Sequence, residues 1–262
     1  MRKVICLFFI SLFITTLTSC TADADDTIQD KLVKKIIEVN QDESSSTYIF
    51  TYNGKKIISI ESQETSKTFF YTGDLITKIV ALNKTTQTQS TSDYIYTNNH
   101  LTKVINSDNY TFTYTHQPNG SITYQKTTTD SNNAVTILFD GSLSLTASNI
   151  IKDMRTLATR DANKIYTEEV SFGYEAKKNP FHSITGFSKL LDHSKMISIN
   201  NVKTILENNT ITIVDTNQIT SSANYYSNSF VYDNDGYIKE LISEKAVLGN
   251  QNKNHFKSLF FY

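Results

Sequence analysis

The chain has 262 residues, with 25 Lys and Arg against 26 Asp and Glu, a formal net charge of −1. That balance leaves no cationic surplus for phosphates and excludes nucleic acid as an electrostatically favoured partner. Aromatics at 11%, only 8 Gly and 2 Pro, and an abundance of Thr, Ser, Tyr and Ile favour strands and disfavour a long helical bundle.

Residues 1–19 read as a signal peptide: Arg2 and Lys3 form its positive end, and Val4 to Ile14 are apolar apart from Ser11. The stretch is too short for a permanent membrane span. Leu17-Thr18-Ser19-Cys20 resembles the lipobox of bacterial lipoproteins, in which the Cys becomes the acylated N-terminus after cleavage. The resemblance implies lipid attachment at Cys20, with the membrane as partner through that lipid. Cys6 lies in the removed segment, so the mature chain keeps one Cys and forms no internal disulfide. Residues 20–30 read as a lipidated acidic tether. Within it, Asp23, Asp25 and Asp26 resemble the signal that sends Bacteroidota lipoproteins to the outer face of the outer membrane. Surface display is the expectation, and the periplasmic face the alternative.

Residues 31–262 read as one β-hairpin repeat domain. In Lys31–Val39 the recurrence of Ile28, Leu32 and Ile36 allows a helix, but Ile37 and Val39 alternate about Glu38, and a polar loop leads into Thr47–Tyr52. A strand and a first hairpin follow from that alternation. Pairs of apolar residues two apart then recur: Phe50/Tyr52, Phe69/Tyr71, Tyr94/Tyr96, Phe112/Tyr114, Ile137/Phe139, Phe172/Tyr174 and Phe230/Tyr232. Residues two apart share one face of a strand, so each pair extends one apolar stripe. Behind the pairs stand turn residues, among them Asn53-Gly54, Thr72-Gly73-Asp74, Asn98-Asn99, Pro118-Asn119-Gly120, Asp140-Gly141 and Asp235-Gly236. Returning strands place apolar residues three apart, as in Ile57/Ile60, Ile76/Ile79 and Leu101/Val104. Either the first of them packs at the sheet end or a bulge sits beside the turn.

Two later stretches depart from the repeat. Ile150–Arg155 allows a helix through Met154 and Leu157 but mirrors Tyr237–Ile242 after a turn, and is assigned to a strand. After Pro180, the residues Ile184, Phe187 and Leu191 fall on one helical face, which predicts a short helix near 182–191. The hairpin Phe230–Leu241, with Asp233-Asn234-Asp235-Gly236 at its turn, is the clearest statement of the repeat. The fold expected is all-β, an antiparallel meander of hairpins closing into a curled or barrel-like sheet, with an extended single-layer ribbon as the alternative.

Tyr174–Phe181, Ser198–Lys203 and Tyr232–Lys239 together resemble Bacteroidota lipoproteins with YD-repeat-like hairpins. Glu175 stands where that pattern usually has Asp, and Ile238 where Pro is common. The resemblance implies an all-β lipoprotein and supplies no catalytic residues.

Chemistry-bearing patterns are sparse. His100, His116, His182, His193 and His255 contain no pair spaced for a zincin-type metal site. Asp233–Gly236 offers calcium-like oxygens, yet Ile238 holds the next alternate position and no downstream Glu completes a loop. Gly186-Phe187-Ser188 lacks the second Gly of a nucleophile elbow. Glu168 and Glu169, adjacent on a strand, face opposite ways. No metal, cofactor or catalytic residue is assigned. The expected function is a non-catalytic binding or scaffold module anchored at the outer membrane, with a glycan or an envelope protein as possible partner. A structural envelope protein without ligand, or a hydrolase assembled from distant carboxylates, are the alternatives. The 15 Tyr serve either as core rings or as an exposed binding surface, and the core reading is preferred.

Overall fold

A computed structural model of the chain describes residues 30–159, 161–194, 196–247 and 253–262. Its strands are β1 Lys35–Val39, β2 Ser45–Asn53, β3 Lys56–Glu61, β4 Thr65–Thr72, β5 Leu75–Asn83, β6 Thr88–Thr97, β7 His100–Asn106 and β8 Tyr110–His116. There follow β9 Ile122–Thr129, β10 Val135–Thr146, β11 Asn149–Leu157, β12 Lys164–Lys178, β13 Asn200–Ile213, β14 Gln218–Tyr232, β15 Ile238–Val247 and β16 Lys253–Phe261. Every strand pairs antiparallel with its neighbours in sequence, and β16 returns to β1, so the meander closes into a barrel. The ribbon alternative is thereby excluded, because both edges of the sheet are used up in closure.

The apolar residues three apart owe their placement to bulges. Register shifts sit at Thr51/Tyr52, Phe70/Tyr71 and Ile95/Tyr96, beside the turns at one end of the barrel. An extra residue there turns both Ile57 and Ile60, both Ile76 and Ile79, and both Leu101 and Val104 towards the interior. The ladder on the other side of each returning strand begins two residues later: Ile76 precedes the Lys78–Asp93 pair, Leu101 the Lys103–Thr113 pair, and Ile150 the Lys152–Ser171 pair. The polar backbone left over is taken by the next hairpin. Tyr96 donates its hydroxyl to the Ile76 carbonyl at 2.9 Å, the His116 ring nitrogen meets the Leu101 carbonyl at 2.9 Å, and Tyr174 donates to the Ile150 carbonyl at 2.5 Å. Tyr52 reaches the Val33 carbonyl at 2.8 Å in the same way, and the Ile57 amide donates to the Tyr71 hydroxyl at 3.1 Å. Buried backbone groups need partners, and Tyr52, Tyr71, Tyr96 and Tyr174, each the second aromatic of its pair, supply one.

Two expectations are corrected. Asp140-Gly141 is not a turn: both residues lie within β10 and pair with β9 and β11. The chain turns instead at Ala147 and Ser148, with φ of 47° and 62°. Gly141 is where the Tyr124 ring lies against the strand, and a Cβ on it would stand 2.3 Å from the ring. Near 182–191, where a helix is predicted, two three-residue 3-10 helices form, Phe187–Lys189 and Leu191–His193. Gly186 has φ 76° and Leu190 has ψ 77°, both incompatible with continuous α-helix.

Candidate functional site: the lumen of the barrel

Sixteen strands enclose a space too wide for wall side chains alone to fill. Much of the space is taken up by residues 179–199, which leave the wall after β12 and re-enter it at β13. Asn179 shapes the entry, accepting from the Phe181 amide at 2.8 Å and donating to the Met196 carbonyl at 2.8 Å. Phe181 stacks on Phe50 of β2 with centroids 6.0 Å apart and lies 5.8 Å from Phe187. The Thr185 amide donates to Lys55 at 2.9 Å, Thr185 accepts from Tyr71, and Lys189 donates to the Asn99 carbonyl at 2.9 Å. This segment is therefore a plug that touches three hairpin turns at one end. Ile57, Ile76, Leu101, Ile150 and Leu190 are at most 2% exposed around it, which seals that end.

Polar groups gather where the plug meets the middle of the lumen. Tyr94 donates to the Asp192 carboxylate at 3.0 Å, and His193 sits against the same carboxylate at 3.1 Å. On β9 and β11, Tyr124 donates to Asp153, which is 3% exposed, and Arg155 bonds both Tyr124 at 2.9 Å and Asp153 at 2.8 Å. Burial, then the Asp192 charge, drives the Tyr94 and Tyr114 phenols far above the ordinary tyrosine value, so both keep their protons. Above this floor the lumen stays open in two chambers. One, of 410 Å³, is lined by Tyr94, Tyr110, Phe112, Lys67, Lys126 and Arg155, with Asp192 and His193 beneath. The other, of 550 Å³, is mainly apolar, lined by Ile36, Phe50, Ile60, Phe181, Leu241 and Phe260, with Glu38, Tyr48 and Ser258 also in its wall. Lys67 borders both.

The outer face mixes polar, charged and apolar residues. On β8 and β9 the outward positions are Thr111, Thr113 and Thr115 facing Thr127, Gln125 and Thr123. Ion pairs recur around the wall: Lys78–Asp93 at 3.3 Å, Lys152–Glu169 at 3.0 Å and Lys257–Glu240 at 2.7 Å. Outward apolar residues such as Ile49, Ile95, Ile105 and Val231 are interspersed with these.

Of the residues singled out in the sequence, Cys20, Asp23, Asp25 and Asp26 lie outside the described residues. Glu168 and Glu169 do face opposite ways: Glu168 lies 3.9 Å from Arg155 inside, and Glu169 pairs with Lys152 outside. Asp233 is used by the hairpin turn, accepting from the amides of Asp235 and Tyr237 and from Lys31. His182 bonds the Asn179 carbonyl while His193 turns to Asp192. The pair brought together is His100 and His116, with rings 4.6 Å apart across β7 and β8. Among the described residues no group of three or more His, Cys, Asp or Glu could hold a metal ion. The rings are mainly interior, as preferred, with Phe50, Phe69, Tyr94, Tyr114, Tyr124 and Phe172 buried. Sequence reasoning missed the lumenal cations and the Tyr124–Asp153–Arg155 network. The available signal was the inward parity of Lys126 with Tyr124 and of Arg155 with Asp153.

Fold and lumen together define a closed sixteen-strand antiparallel β-barrel with an internal plug. No protein-family model and no curated protein matches the chain. Among solved structures, it is similar to a porin-like protein from Bacteroides vulgatus, with a TM-score of 0.54 at 12% identity over 89% of this chain and 99% of that one. A porin-like protein from Bacteroides uniformis is similar at a TM-score of 0.50 and 10% identity, covering 87% of this chain and 97% of the other. At such identities the likeness is one of fold.

Proposed function

We propose that the protein is a lipoprotein held at the outer membrane through Cys20, whose barrel stands in water as a non-catalytic binding module and does not cross the bilayer. The observation that carries this reading is the polarity of the wall. A membrane-spanning barrel presents an apolar band to lipid, and each Lys placed at the bilayer midplane costs about 2–4 kcal/mol. Here Lys78, Lys103 and Lys152 point outward and stand beside Asp93, Thr113 and Ser171, so that the outward apolar residues, Phe70 and Ile95 among them, are broken up by charge, while most of the aromatic rings point in. The acidic stretch Asp23, Asp25 and Asp26 favours the cell surface over the periplasmic face. A lumen exposed to water gives such a module its binding site.

Cell fractionation of a Cys20→Ala variant tests the reading. The parent is expected to sediment with outer membranes and the variant to appear in the soluble fraction without detergent. A variant that remains integral, released only by detergent, would show that the barrel itself spans. Replacing Asp23, Asp25 and Asp26 by Asn is expected to keep the protein lipidated but shield it from protease added to intact cells; unchanged cleavage overturns the surface assignment.

A further inference from the structure

The two chambers of the lumen differ in chemistry and share one residue. Lys67, on β4, lies between the mainly apolar chamber of Ile36, Phe50, Ile60, Phe181, Leu241 and Phe260, whose wall also holds Glu38, and the polar chamber that Lys126 also lines. Inward charge in the polar chamber is largely spoken for. Asp153 is bonded by Arg155 and Tyr124, and Asp192 by Tyr94 and His193. Lys67 and Lys126 are left over: among the described residues neither has a carboxylate within ion-pair distance. Lys126 lies instead over the rings of Tyr110 and Phe112, at 4.2 and 5.2 Å from their centroids. Burial, and then the nearby Arg155 charge, lowers its pKa, which marks a place where a cation is held without a compensating anion. Lys67 is exposed although it points into the barrel, so water and solutes reach it.

We infer that the lumen binds an amphipathic anion, specifically a long-chain carboxylate, with its head group between Lys67 and Lys126 and its acyl chain in the apolar chamber. The head gains two cations that have no carboxylate partner among the described residues. The chain replaces water against Phe50, Phe181 and Phe260, and a chamber of 550 Å³ is within the size range of small-molecule sites. Met196, at the plug side of that chamber, supplies an adaptable surface for an alkyl chain. A free carboxylate without a chain would lose the apolar contact, and an alcohol of the same length would lose the charge pairing.

The inference rests on the reading of the barrel as a water-facing binding module, and the two fail separately. A barrel that needs detergent removes the module reading, whereas a detergent-free barrel indifferent to palmitate removes the ligand alone. The experiment is equilibrium binding of palmitate to delipidated residues 27–262, which contain every strand of the closed sheet. Hexadecanol and acetate serve as comparisons. Saturable binding of one palmitate is expected, with acetate giving none. Lys67→Met/Lys126→Met is expected to weaken palmitate at least tenfold and to leave hexadecanol unchanged, and the exposed single variant Lys67→Met is expected to weaken it in the same direction. Ser258→Phe, which puts a ring into the apolar chamber, is expected to weaken palmitate and hexadecanol alike. Absence of saturable palmitate binding, or palmitate binding indifferent to both lysine variants while circular dichroism shows them folded, overturns the inference.

Discussion

At the scale of single residues, the tyrosines at the sealed end act through their hydroxyls as much as through their rings. Tyr96 satisfies the Ile76 carbonyl just beyond the start of the β5–β6 ladder, and Tyr174 does the same for Ile150. Tyr96→Phe keeps the ring and strands that carbonyl away from water, a loss of about 1–3 kcal/mol. Thermal unfolding is expected to fall by about 2–4 °C for each kcal/mol in a domain of this size, and an unchanged midpoint would show that water reaches the carbonyl. Burial pushes the Tyr71 phenol up to about 12 and holds Tyr52, Tyr96 and Tyr174 above the ordinary tyrosine value. The folded values lie above the unfolded one near 10, so the contribution is complete below about pH 10 and is lost as pH rises further. Urea midpoints measured from pH 8 to 11.5 are expected to stay level and then drop above pH 10. A rise across that interval would contradict the burial of these phenols.

Among the elements, the plug decides whether the barrel has a floor. Its course depends on Gly186, whose positive φ is disfavoured for other residues and whose position would bring a Cβ within 2.6 Å of the Asp74 carbonyl. Gly186→Ala adds about 1–2 kcal/mol of backbone strain and forces the β4–β5 turn and the plug apart. Loss of protection is expected to be local at first. Hydrogen exchange should rise at the Thr185, Phe187 and Leu190 amides, which bond within the plug or to Lys55, while the ladder amides of β12 to β14 stay protected. If exchange rose evenly around the barrel, the plug and wall would form one cooperative unit.

On the scale of the whole molecule, the proposal that the barrel stands in water makes a prediction about its behaviour without detergent. Closure removes the exposed sheet edges that would otherwise recruit other chains. Small-angle scattering of residues 27–262 in detergent-free buffer is expected to give a monomer with a radius of gyration of about 17–20 Å, slightly above a solid domain of this length because the lumen is not filled. An elongated particle or an obligatory detergent belt would contradict the closed, water-facing form.

Much of this was legible in the order of the residues. Alternation of aromatic and polar positions, as in Thr111 to Thr115, gives strands and their faces locally, since side-chain direction depends only on parity. Asn98-Asn99 and Asp235-Gly236 specify tight turns through the conformations they tolerate. From such local signals came the meander, the preference for a closed sheet, the interior rings and the opposed directions of Glu168 and Glu169. Other features depend on residues far apart in the chain. Asp140-Gly141 has the form of a turn and became mid-strand because Tyr124, on a neighbouring strand, occupies the space above it. The helical spacing of Ile184, Phe187 and Leu191 buries all three without an α-helix, because Gly186 at positive φ and Leu190 break the coil. Lys67 and Lys126 are unremarkable in sequence and share a chamber through closure of the barrel around the plug. Parity is a property of neighbouring bonds, whereas a binding chamber requires strands β1 to β16 to meet, and only the tertiary structure brings them together.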